Sequence, residues 1–419
     1  MNIKTLDLTD VRAIGSAQLH FQPGFNVIAG ANGVGKTTIL DALAVCCSAV
    51  ARRAVRLRKY GTYFRDDDIR LGARALQTEC EFVSRSAEFK LSVLRSRDVA
   101  LAKEMEEWSR ATSTEIDNPT MEVFLGEVPA KGDDETPESR LLTVLYSTAR
   151  SVATEREPRK SSATGNVAAA FAGALSVRRG LELGLFAAWM RVQLALGPVR
   201  ADAQRKLSAL ENAVVRFLPG YSNLRPAQEG EGKSLLIDYD GRSLPVSWLS
   251  DGERGLLSLV LDLTRRLAHA NPDMVDPAAN AEAVVLIDEL ELHLHPAWQR
   301  RVIANLTATF PRCQFIATTH SPQVIGEIER DRIQVMSDGD VYSPTHSFGV
   351  DSSRVLEEVM GARARNSEVQ ELLTRISARI DEERYDDARE LLARLVKRVG
   401  EHDPEVTRGQ TLLEFLEDK

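Results

Sequence analysis

The 419-residue sequence contains little cysteine, few aromatic residues and no long uncharged hydrophobic run. Its four cysteines are Cys46, Cys47, Cys80 and Cys313. They show neither the paired CxxC spacing nor the neighbouring histidines of a zinc site, and they form no disulfide framework. A reducing compartment, the cytoplasm, is therefore the location that we expect.

A secretion signal and a membrane segment are also missing from the pattern. The chain begins MNIKTLDLTD, without a basic head followed by an apolar core. The most apolar stretches, 167–177 and 181–197, are too short and too interrupted by charge to cross a bilayer. The formal net charge of -8 argues against nucleic-acid binding over the whole surface, although a local basic stripe would still bind phosphate.

A glycine-rich motif follows the predicted strand FNVIAG and precedes a stretch of helix-forming residues. It matches GxxxxGK[ST] without a gap and comprises Gly30, Ala31, Asn32, Gly33, Val34, Gly35, Lys36, Thr37 and Thr38. In such a loop, backbone N–H groups curl round phosphates and the following helix adds the positive end of its dipole. The motif predicts ATP binding, with Lys36 at the β- and γ-phosphates and Thr37 as a ligand of Mg²⁺.

A second motif is an apolar strand, 284–287, that ends in Asp288 and Glu289. The carboxyl ends of strands in an open α/β sheet are where ligands bind. We predict that Asp288 holds magnesium and that Glu289 is a catalytic residue that orients the attacking water. A buried strand ending in two carboxylates is common, and the prediction depends on the glycine-rich loop found upstream.

The stretch LSDGE at 249–253 precedes a long apolar helix and allows two compatible interpretations. Ser250 and Glu253 have the spacing of a capping box, which closes the start of the helix. The same Ser250, with Asp251, Gly252 and the free N–H groups of the helix start, would also bind a γ-phosphate. One cap serves both purposes.

Histidines end or follow the predicted strands. His320 ends the strand QFIATTH, where it is either structural or a catalytic sensor of the γ-phosphate, and we favour the sensor. His293 and His295 precede Pro296, and we expect packing and a turn there rather than metal binding.

Two weaker patterns suggest contact with DNA. Glu88 and Lys90, with the acidic run 66–68 upstream, resemble a nuclease ExK element, but charged hairpins often produce this spacing. A basic run after the glycine-rich helix would either follow DNA phosphates or form a solvated helix face. Its members are Arg52, Arg53, Arg56, Arg58 and Lys59.

The chain divides into four predicted segments. The ranges 1–150 and 234–350 form two halves of one ATPase core, and 151–233 is a helical insertion. The range 351–419 is a helical segment with apolar positions at Leu372, Leu373, Ile376 and Ile380, and again at Ala388, Leu391, Leu392 and Leu395. This segment either caps the core, assembles dimers into larger rings or docks a partner helix.

With Lys36, Ser250, Asp288, Glu289 and His320 in this order, the chain resembles ABC-type ATPase heads of the SMC, RecF and OLD class. The resemblance implies an α/β fold, with the mixed sheet and flanking helices of an ABC-type P-loop ATPase head. It also implies hydrolysis of ATP to ADP and phosphate by a homodimer, or a higher homo-oligomer, that sandwiches two nucleotides. On this basis 30–38 is the Walker A loop, 249–253 the signature, 284–289 the Walker B strand and 291–295 the D-loop.

Two positions depart from the pattern of transporters. Asp251 replaces their usual signature glycine, which moves the chain toward the DNA-associated branch, and no Q-loop glutamine is assigned. Within that branch, the stretches LYSTARS around Arg150 and ELHLHPAWQR look like Septu-type (PtuA-like) and retron-associated defence ATPases. That resemblance implies a separate HNH-type nuclease as partner, and possible contact with DNA. The alternatives are a RecF-like DNA repair ATPase and, less favoured, a transporter subunit.

Overall fold

The computed structural model describes residues 1–55, 61–84, 88–98, 116–117, 120–126, 142–151, 167–176, 183–228, 235–337, 339–363 and 365–417. The chain divides into two units, Met1–Asp351 and Ser352–Lys419, which are described separately. The boundaries predicted at residues 150 and 233 fall inside the first unit and stay predictions. Within the described ranges, no helix has both the length and the apolar character needed to cross a membrane.

The strands of the described residues all belong to the first unit and are numbered in chain order. They are β1 Asn2–Val11, β2 Ile14–His20, β3 Phe25–Gly30, β4 Ala75–Val83, β5 Glu88–Ser96, β6 Ile116–Asp117, β7 Thr120–Gly126, β8 Leu142–Tyr146, β9 Tyr221–Pro226, β10 Leu235–Tyr239, β11 Arg242–Pro245, β12 Ala283–Ile287, β13 Gln314–Thr319, β14 Ile333–Ser337 and β15 Asp340–Tyr342.

The helices are numbered in the same way. Those of the first unit are α1 Lys36–Val55, α2 Val167–Phe171, α3 Leu183–Leu196, α4 Ala201–Phe217, α5 Asp251–Ala270, α6 Pro277–Asn280, α7 Pro296–Gln299, α8 Val302–Thr309 and α9 Pro322–Ile325. Those of the second unit are α10 Ser352–Glu358, α11 Ser367–Asp381, α12 Tyr385–Val399 and α13 Pro404–Glu417. Short 3-10 turns cover Asp66–Asp68, Thr148–Ser151, Val246–Trp248 and Arg330–Arg332.

The predicted motifs lie on a six-stranded sheet of order β15-β14-β3-β13-β12-β8. Its strands pair in parallel except for β15, which is antiparallel to β14. Strands β3, β8, β12 and β13 are buried at every residue, as expected for a parallel sheet covered on both faces. The predicted α/β fold with a mixed sheet is confirmed. The segments after β3, β12 and β13 meet at one edge of this sheet, because neighbouring parallel strands end on the same side.

A second six-stranded sheet is antiparallel throughout, with the order β2-β1-β4-β5-β7-β6. Strands β4 and β5 form an antiparallel hairpin, in which the rings of Phe82 and Phe89 stack at 5.2 Å. Helix α1 contributes Ile39 and Leu43 to one core cluster that contains residues of both sheets. The helix that begins at the glycine-rich loop is therefore held firmly along its length.

Helices α2, α3 and α4 occupy the stretch predicted as a helical insertion. Gly197 and Pro198 lie between α3 and α4 and separate these two helices. Helix α4 packs against α5. Strand β9 was not predicted, because its sequence YSNLRP does not alternate in polarity, yet it pairs with β10 in a three-stranded sheet.

The second unit has a small core of its own. The helices predicted from the apolar spacing are confirmed as α11 and α12, and a third helix, α13, adds Val406 and Leu413 to their core. The other buried members of this core are Ile376, Ala388, Leu391, Leu392 and Leu395. Leu372, Leu373 and Ile380 are only partly buried against it.

Candidate active site

The glycine-rich loop connects β3 to α1 and has little freedom to move. Gly30 has a φ of 145°, and a Cβ atom there would collide with the carbonyl oxygen of Met336 on β14. Only glycine fits this position, because the left-handed backbone and the neighbouring strand both exclude a side chain. Residues 31–33 are exposed, so the loop presents its backbone to solvent between two buried elements.

Lys36 lies across this loop at the first position of α1. Its ammonium group donates to the carbonyl oxygens of Gly30 at 2.9 Å and Ala31 at 2.8 Å. Burial lowers the pKa of Lys36, and the carboxylates of Glu291 and Asp288 oppose this shift. The loop therefore holds a cation that a bound phosphate would attract.

Thr37 and Asp288 meet across the edge of the sheet. The Thr37 hydroxyl lies 3.3 and 3.2 Å from the two carboxylate oxygens of Asp288, although the residues are 251 positions apart. A second hydroxyl, Thr318 Oγ1 at the end of β13, donates to Asp288 Oδ1 at 2.7 Å. Strand order brings the three side chains together, because β13 lies between β3 and β12.

The Thr37 and Asp288 oxygens fit a magnesium ion. Adjacent ligands of octahedral Mg²⁺ lie about 3 Å apart, since each metal–oxygen bond is about 2.1 Å long. The observed separations of 3.2 and 3.3 Å are close to this value. The described residues contain no group of three or more His, Cys, Asp and Glu side chains that could hold a metal ion. Two protein oxygens are enough for magnesium, which fills the rest of its shell with water and phosphate.

Glu289 follows in an unusual backbone conformation. Its φ of 48° lies in the left-handed region, which is costly for a residue with a side chain. Its N–H donates to Thr318 Oγ1 at 2.8 Å, so one threonine hydroxyl contacts both carboxylate residues. The conformation directs the chain into the turn that follows β12. Such strain is frequent at functional sites.

His320 follows β13 and is positioned through its backbone. The His320 N–H donates to Glu291 Oε1, and the Thr319 hydroxyl donates to Glu291 Oε2 at 2.7 Å. Burial lowers the pKa of the His320 imidazole, and the positive charge of Lys36 lowers it further. Both effects favour the neutral form of the ring.

The start of α5 contains the predicted capping box. Ser250 Oγ accepts from the Glu253 N–H at 3.3 Å, and Glu253 Oε2 accepts from the Ser250 N–H at 3.1 Å. Ser250 and Asp251 are exposed, whereas Gly252 is buried, with the carbonyl oxygen of His293 2.5 Å from where its Cβ would lie. The cap is therefore packed on the D-loop on one side and open to solvent on the other.

The predicted weaker candidates are engaged elsewhere. Glu88 is exposed and pairs with Lys4 at 2.7 Å, and this contact lowers the pKa of Glu88. Asp66 and Asp68 of the acidic run pair with the arginines Arg95 and Arg12. The ExK pattern and the acidic run are thus parts of surface ion pairs.

The two remaining sequence patterns have local roles. His295 caps α7 by accepting the Ala297 N–H on Nδ1 at 3.2 Å, which confirms the predicted turn. Arg52 stacks on the Tyr63 ring at 4.2 Å and donates to Ser48. Arg56, Arg58 and Lys59 of the basic run lie outside the described residues.

Three contacts at this edge were not predicted from the sequence. Thr318 holds both carboxylate residues, Glu291 holds the backbone of His320, and Arg150 donates to the carbonyl oxygens of Asp288 and Glu289. The only local signal for Thr318 is a hydroxyl at the end of a buried strand. Arg150 lies within the stretch LYSTARS, which carries the family resemblance but gives no sign of this contact.

One family model matches most of the chain, over residues 25–326, and its description is "AAA domain, putative AbiEii toxin, Type IV TA system". The predicted resemblance to defence ATPases is confirmed by two curated relatives. A retron Ec83 probable ATPase from Escherichia coli is 39% identical over 204 residues, which cover 48% of this chain and 37% of that protein. A Septu protein PtuA from Bacillus thuringiensis is 24% identical over 407 residues, which cover 91% of this chain and 90% of that protein.

Among solved structures, the SMC head domain from Thermotoga maritima is similar, with a TM-score of 0.43 and 16% identity. The match covers 82% of this chain and 98% of that domain.

Proposed function

The chain belongs to the family described as "AAA domain, putative AbiEii toxin, Type IV TA system", and from this premise we propose that it binds ATP with magnesium and hydrolyses it as the ATPase subunit of an anti-phage defence complex. The observation that carries the proposal is the meeting of Thr37 and Asp288 at 3.2 to 3.3 Å beside the glycine-rich loop. Two distant motifs with the composition of a nucleotide site converge there.

The residues at this edge of the sheet bind different parts of the nucleotide and its magnesium ion. The N–H groups of residues 30–38 surround the phosphates, and Lys36 leaves its two carbonyl partners to contact the β- and γ-phosphates. Thr37 and Asp288 would hold a magnesium ion, which would neutralise charge on the phosphates. Thr318 keeps Asp288 in place by donating to its carboxylate.

Hydrolysis needs a positioned water molecule and a group that contacts the γ-phosphate. Glu289 accepts a hydrogen bond from the attacking water and orients it. His320 donates one ring N–H to the γ-phosphate, and Glu291 holds its backbone. These roles are assigned from the side chains present and their positions at the edge of the sheet.

The signature residues complete the site of a second copy. Ser250, Asp251, Gly252 and Glu253 start α5, and Ser250 is exposed with its hydroxyl bonded to Glu253 at 2.8 Å. In a two-fold dimer this helix start faces the γ-phosphate held by the other chain, because an isologous interface repeats each contact. Two chains thus enclose two ATP molecules.

The defence role rests on the relatives, which are named as a retron ATPase and a Septu protein. The first match spans 37% of the Escherichia coli protein, so the activity and partners of that whole protein are transferred only as part of this proposal. The cytoplasmic location is proposed from the cysteine pattern of the sequence, and the control of a separate HNH-type nuclease from its resemblance to Septu-type ATPases. The unit Ser352–Lys419 serves assembly or recruitment of this partner.

The proposal is tested with the purified chain and a malachite-green assay of phosphate release. We expect magnesium-dependent turnover that Lys36→Ala abolishes together with ATP binding, and no cleavage of plasmid DNA by the chain alone. Turnover that persists in Lys36→Ala would refute the assignment of the site. Strong stimulation of turnover by double-stranded DNA, without a nuclease partner, would favour the RecF-like alternative over defence.

A further inference from the structure

We propose that Arg150 is a positioning residue that holds Glu289 in its catalytic conformation and links it to the start of α5. This inference rests on the proposed ATPase function. Arg150 lies within the stretch LYSTARS, to which the sequence assigned no chemical role, and it follows the edge strand β8 on the short turn Thr148–Ser151. Because β8 pairs with β12 in parallel, this turn lies next to the segment that follows β12.

The guanidinium group of Arg150 donates hydrogen bonds to the backbone on both sides of the Glu289 Cα. One nitrogen, Nη1, donates to the carbonyl oxygen of Asp288 and to that of Ser147 at 3.1 Å. The other, Nη2, donates to the carbonyl oxygen of Glu289. The Asp288 and Glu289 carbonyls belong to the two peptide units that flank the Glu289 Cα, so Arg150 constrains both backbone torsions of that residue.

Glu289 has a backbone conformation that requires such a constraint. Glu289 has a φ of 48°, which a residue with a side chain adopts only when its surroundings impose it. Hydrogen bonds from a charged donor are stronger than neutral ones, and a planar guanidinium donates two of them in a fixed direction. Arg150 is 5% exposed, so water does not compete for these carbonyl oxygens.

Burial lowers the pKa of Arg150 to about 10, and the carboxylates of Asp288 and Glu291 oppose the shift. The side chain therefore stays charged at neutral pH. A buried charge is retained when its partners satisfy it, and here the partners are the backbone of the catalytic turn.

Arg150 also borders the start of α5. It lines a small cavity together with Asp251, Gly252 and Gly255 of that helix, and with Leu292 and His293 of the D-loop. Gly252 is packed so closely on the His293 carbonyl that a methyl group has no room. The turn Thr148–Ser151, which carries Arg150, also packs against α5. We therefore expect a shift of the helix start to reach the D-loop and this turn.

The consequence is a path between the two nucleotides of the dimer. The start of α5 faces the nucleotide of the other chain, whereas Glu289 acts on the nucleotide of its own chain. Arg150 contacts the carbonyls of Asp288 and Glu289 and lines the cavity at the start of α5. Engagement of one γ-phosphate by the signature thereby sets the position of Glu289 at the other site.

The test compares Arg150→Lys and Arg150→Gln with a control that is equally buried. The control is Arg266→Lys on α5, since Arg266 is 0% exposed and bonds Asp262 at 2.8 Å and the carbonyl oxygen of Ala172 at 3.0 Å, away from Glu289. Lysine lacks the planar guanidinium group of arginine, so it cannot donate hydrogen bonds to the carbonyl oxygens of both peptide units. Glutamine also cannot bind both peptide units, and it carries no charge. It therefore tests the loss of these hydrogen bonds without a positive charge left in the buried site.

For both Arg150 variants we expect kcat to fall by about 10- to 100-fold, because small displacements of a catalytic group have effects of this size. KM and equilibrium binding of ATP with magnesium should change less than about threefold, since the phosphate loop is intact. Arg266→Lys should keep kcat within about twofold of wild type, even where its melting temperature falls as much as that of the Arg150 variants.

The outcomes separate the inference from the proposed function. No turnover by the wild-type chain would refute both. Wild-type turnover with an unchanged kcat in Arg150→Lys or Arg150→Gln would overturn the inference alone. A fall in ATP affinity that accounts for the whole loss of kcat/KM would also overturn it. If both Arg150 variants fail to fold while Arg266→Lys folds, Arg150 is a stability residue and the inference is wrong.

Discussion

The two ends of the proposed ATP site differ in how complete they are within one chain. At the edge of the sheet that contains β3, β12 and β13, Thr37 and Thr318 both lie within hydrogen-bonding distance of Asp288. At the start of α5, Ser250 bonds only to its own helix through Glu253 and is exposed to solvent. The edge of the sheet already has its side chains in contact within one chain. The start of α5 has its helix cap in place but faces solvent.

This difference indicates where binding and where control are located. A preassembled phosphate and magnesium site binds nucleotide without rearrangement of the main chain, so affinity is a property of one chain. A helix start that faces solvent adds its N–H groups only when a second nucleotide approaches it. Turnover is therefore expected to depend on a partner chain, whereas binding is not.

The largest effect is expected at the assembled end. Glu289→Gln should retain ATP binding, because Asp288 and Thr37 are unchanged, and should lower turnover by about 10³-fold through loss of water orientation. Binding is measured by calorimetry and turnover by phosphate release. The matched control is Glu358→Gln, at an exposed position that pairs with Arg354 at 2.8 Å in the second unit. Equal turnover in Glu289→Gln and wild type would remove Glu289 from its role.

The open end should respond differently to a bulky charge. Ser250→Arg should leave ATP binding by each chain nearly intact and lower turnover by about 10²-fold, because the arginine keeps the helix start away from the partner's nucleotide. Loss of the cap itself costs about 1 kcal/mol of stability. Ser353→Arg, at an exposed position of α10, controls for added charge. A parallel loss of ATP affinity in Ser250→Arg would place this residue in its own chain's site instead.

A smaller effect tests the support of the assembled end. Thr318→Val keeps the side-chain shape but leaves the Glu289 N–H and one Asp288 oxygen without their hydroxyl partner. We expect kcat to fall about tenfold and stability to fall by about 1 to 3 kcal/mol, the cost of unsatisfied buried polar groups. Thr309→Val is the control, because Thr309 is also 0% exposed and bonds only to its own helix. If both variants lose kcat equally, Thr318 has no special role.

The smallest effect at neutral pH is expected on stability and comes from His269, in the last turn of α5. Burial lowers the pKa of His269 to about 4, and Arg265 and Lys206 add to the shift. As the pH falls below about 6.5, the unfolded chain gains a proton that the folded chain does not, so stability is lost between pH 6.5 and about 4. The loss amounts to about 2 to 3 kcal/mol.

His269→Gln should remove this dependence while leaving stability at pH 7.5 within about 1 kcal/mol of wild type. The pH dependence of stability is measured by urea unfolding at pH 7.5 and pH 5, with His402→Gln, at an exposed position, as the control. If the wild-type chain and His269→Gln lose stability in parallel over this range, the assignment to His269 is wrong.

The sequence predicted the fold best where a pattern is long and local. The strand, loop and helix at 25–55 and the apolar runs of β12 and β13 were predicted as strands or helices of the right kind. Strands β8 and β14 were not, because a segment of five residues is too short for its polarity pattern to distinguish a strand from a buried helical turn. The match to an AAA domain family confirms that the chain is an ATPase by family.

The site was predictable only as far as its motifs extend. The spacing within 30–38 and the pair Asp288 and Glu289 are read directly from the chain, and the structure brings them together. The contacts of Thr318 and Arg150 depend on the order of strands in the sheet, which joins residues 29 to 139 positions apart. No local pattern contains that order, so these supports appear only in the folded chain.

The measurement that tests the two-chain site most directly is complementation between two inactive variants. Lys36→Ala lacks an intact phosphate loop and Ser250→Arg lacks an intact signature, so a mixed dimer holds one site in which both are intact. The account predicts that phosphate release is absent in either variant alone, returns on mixing and is maximal near equal amounts. No phosphate release at any ratio, in samples where mass spectrometry shows mixed dimers, would contradict it.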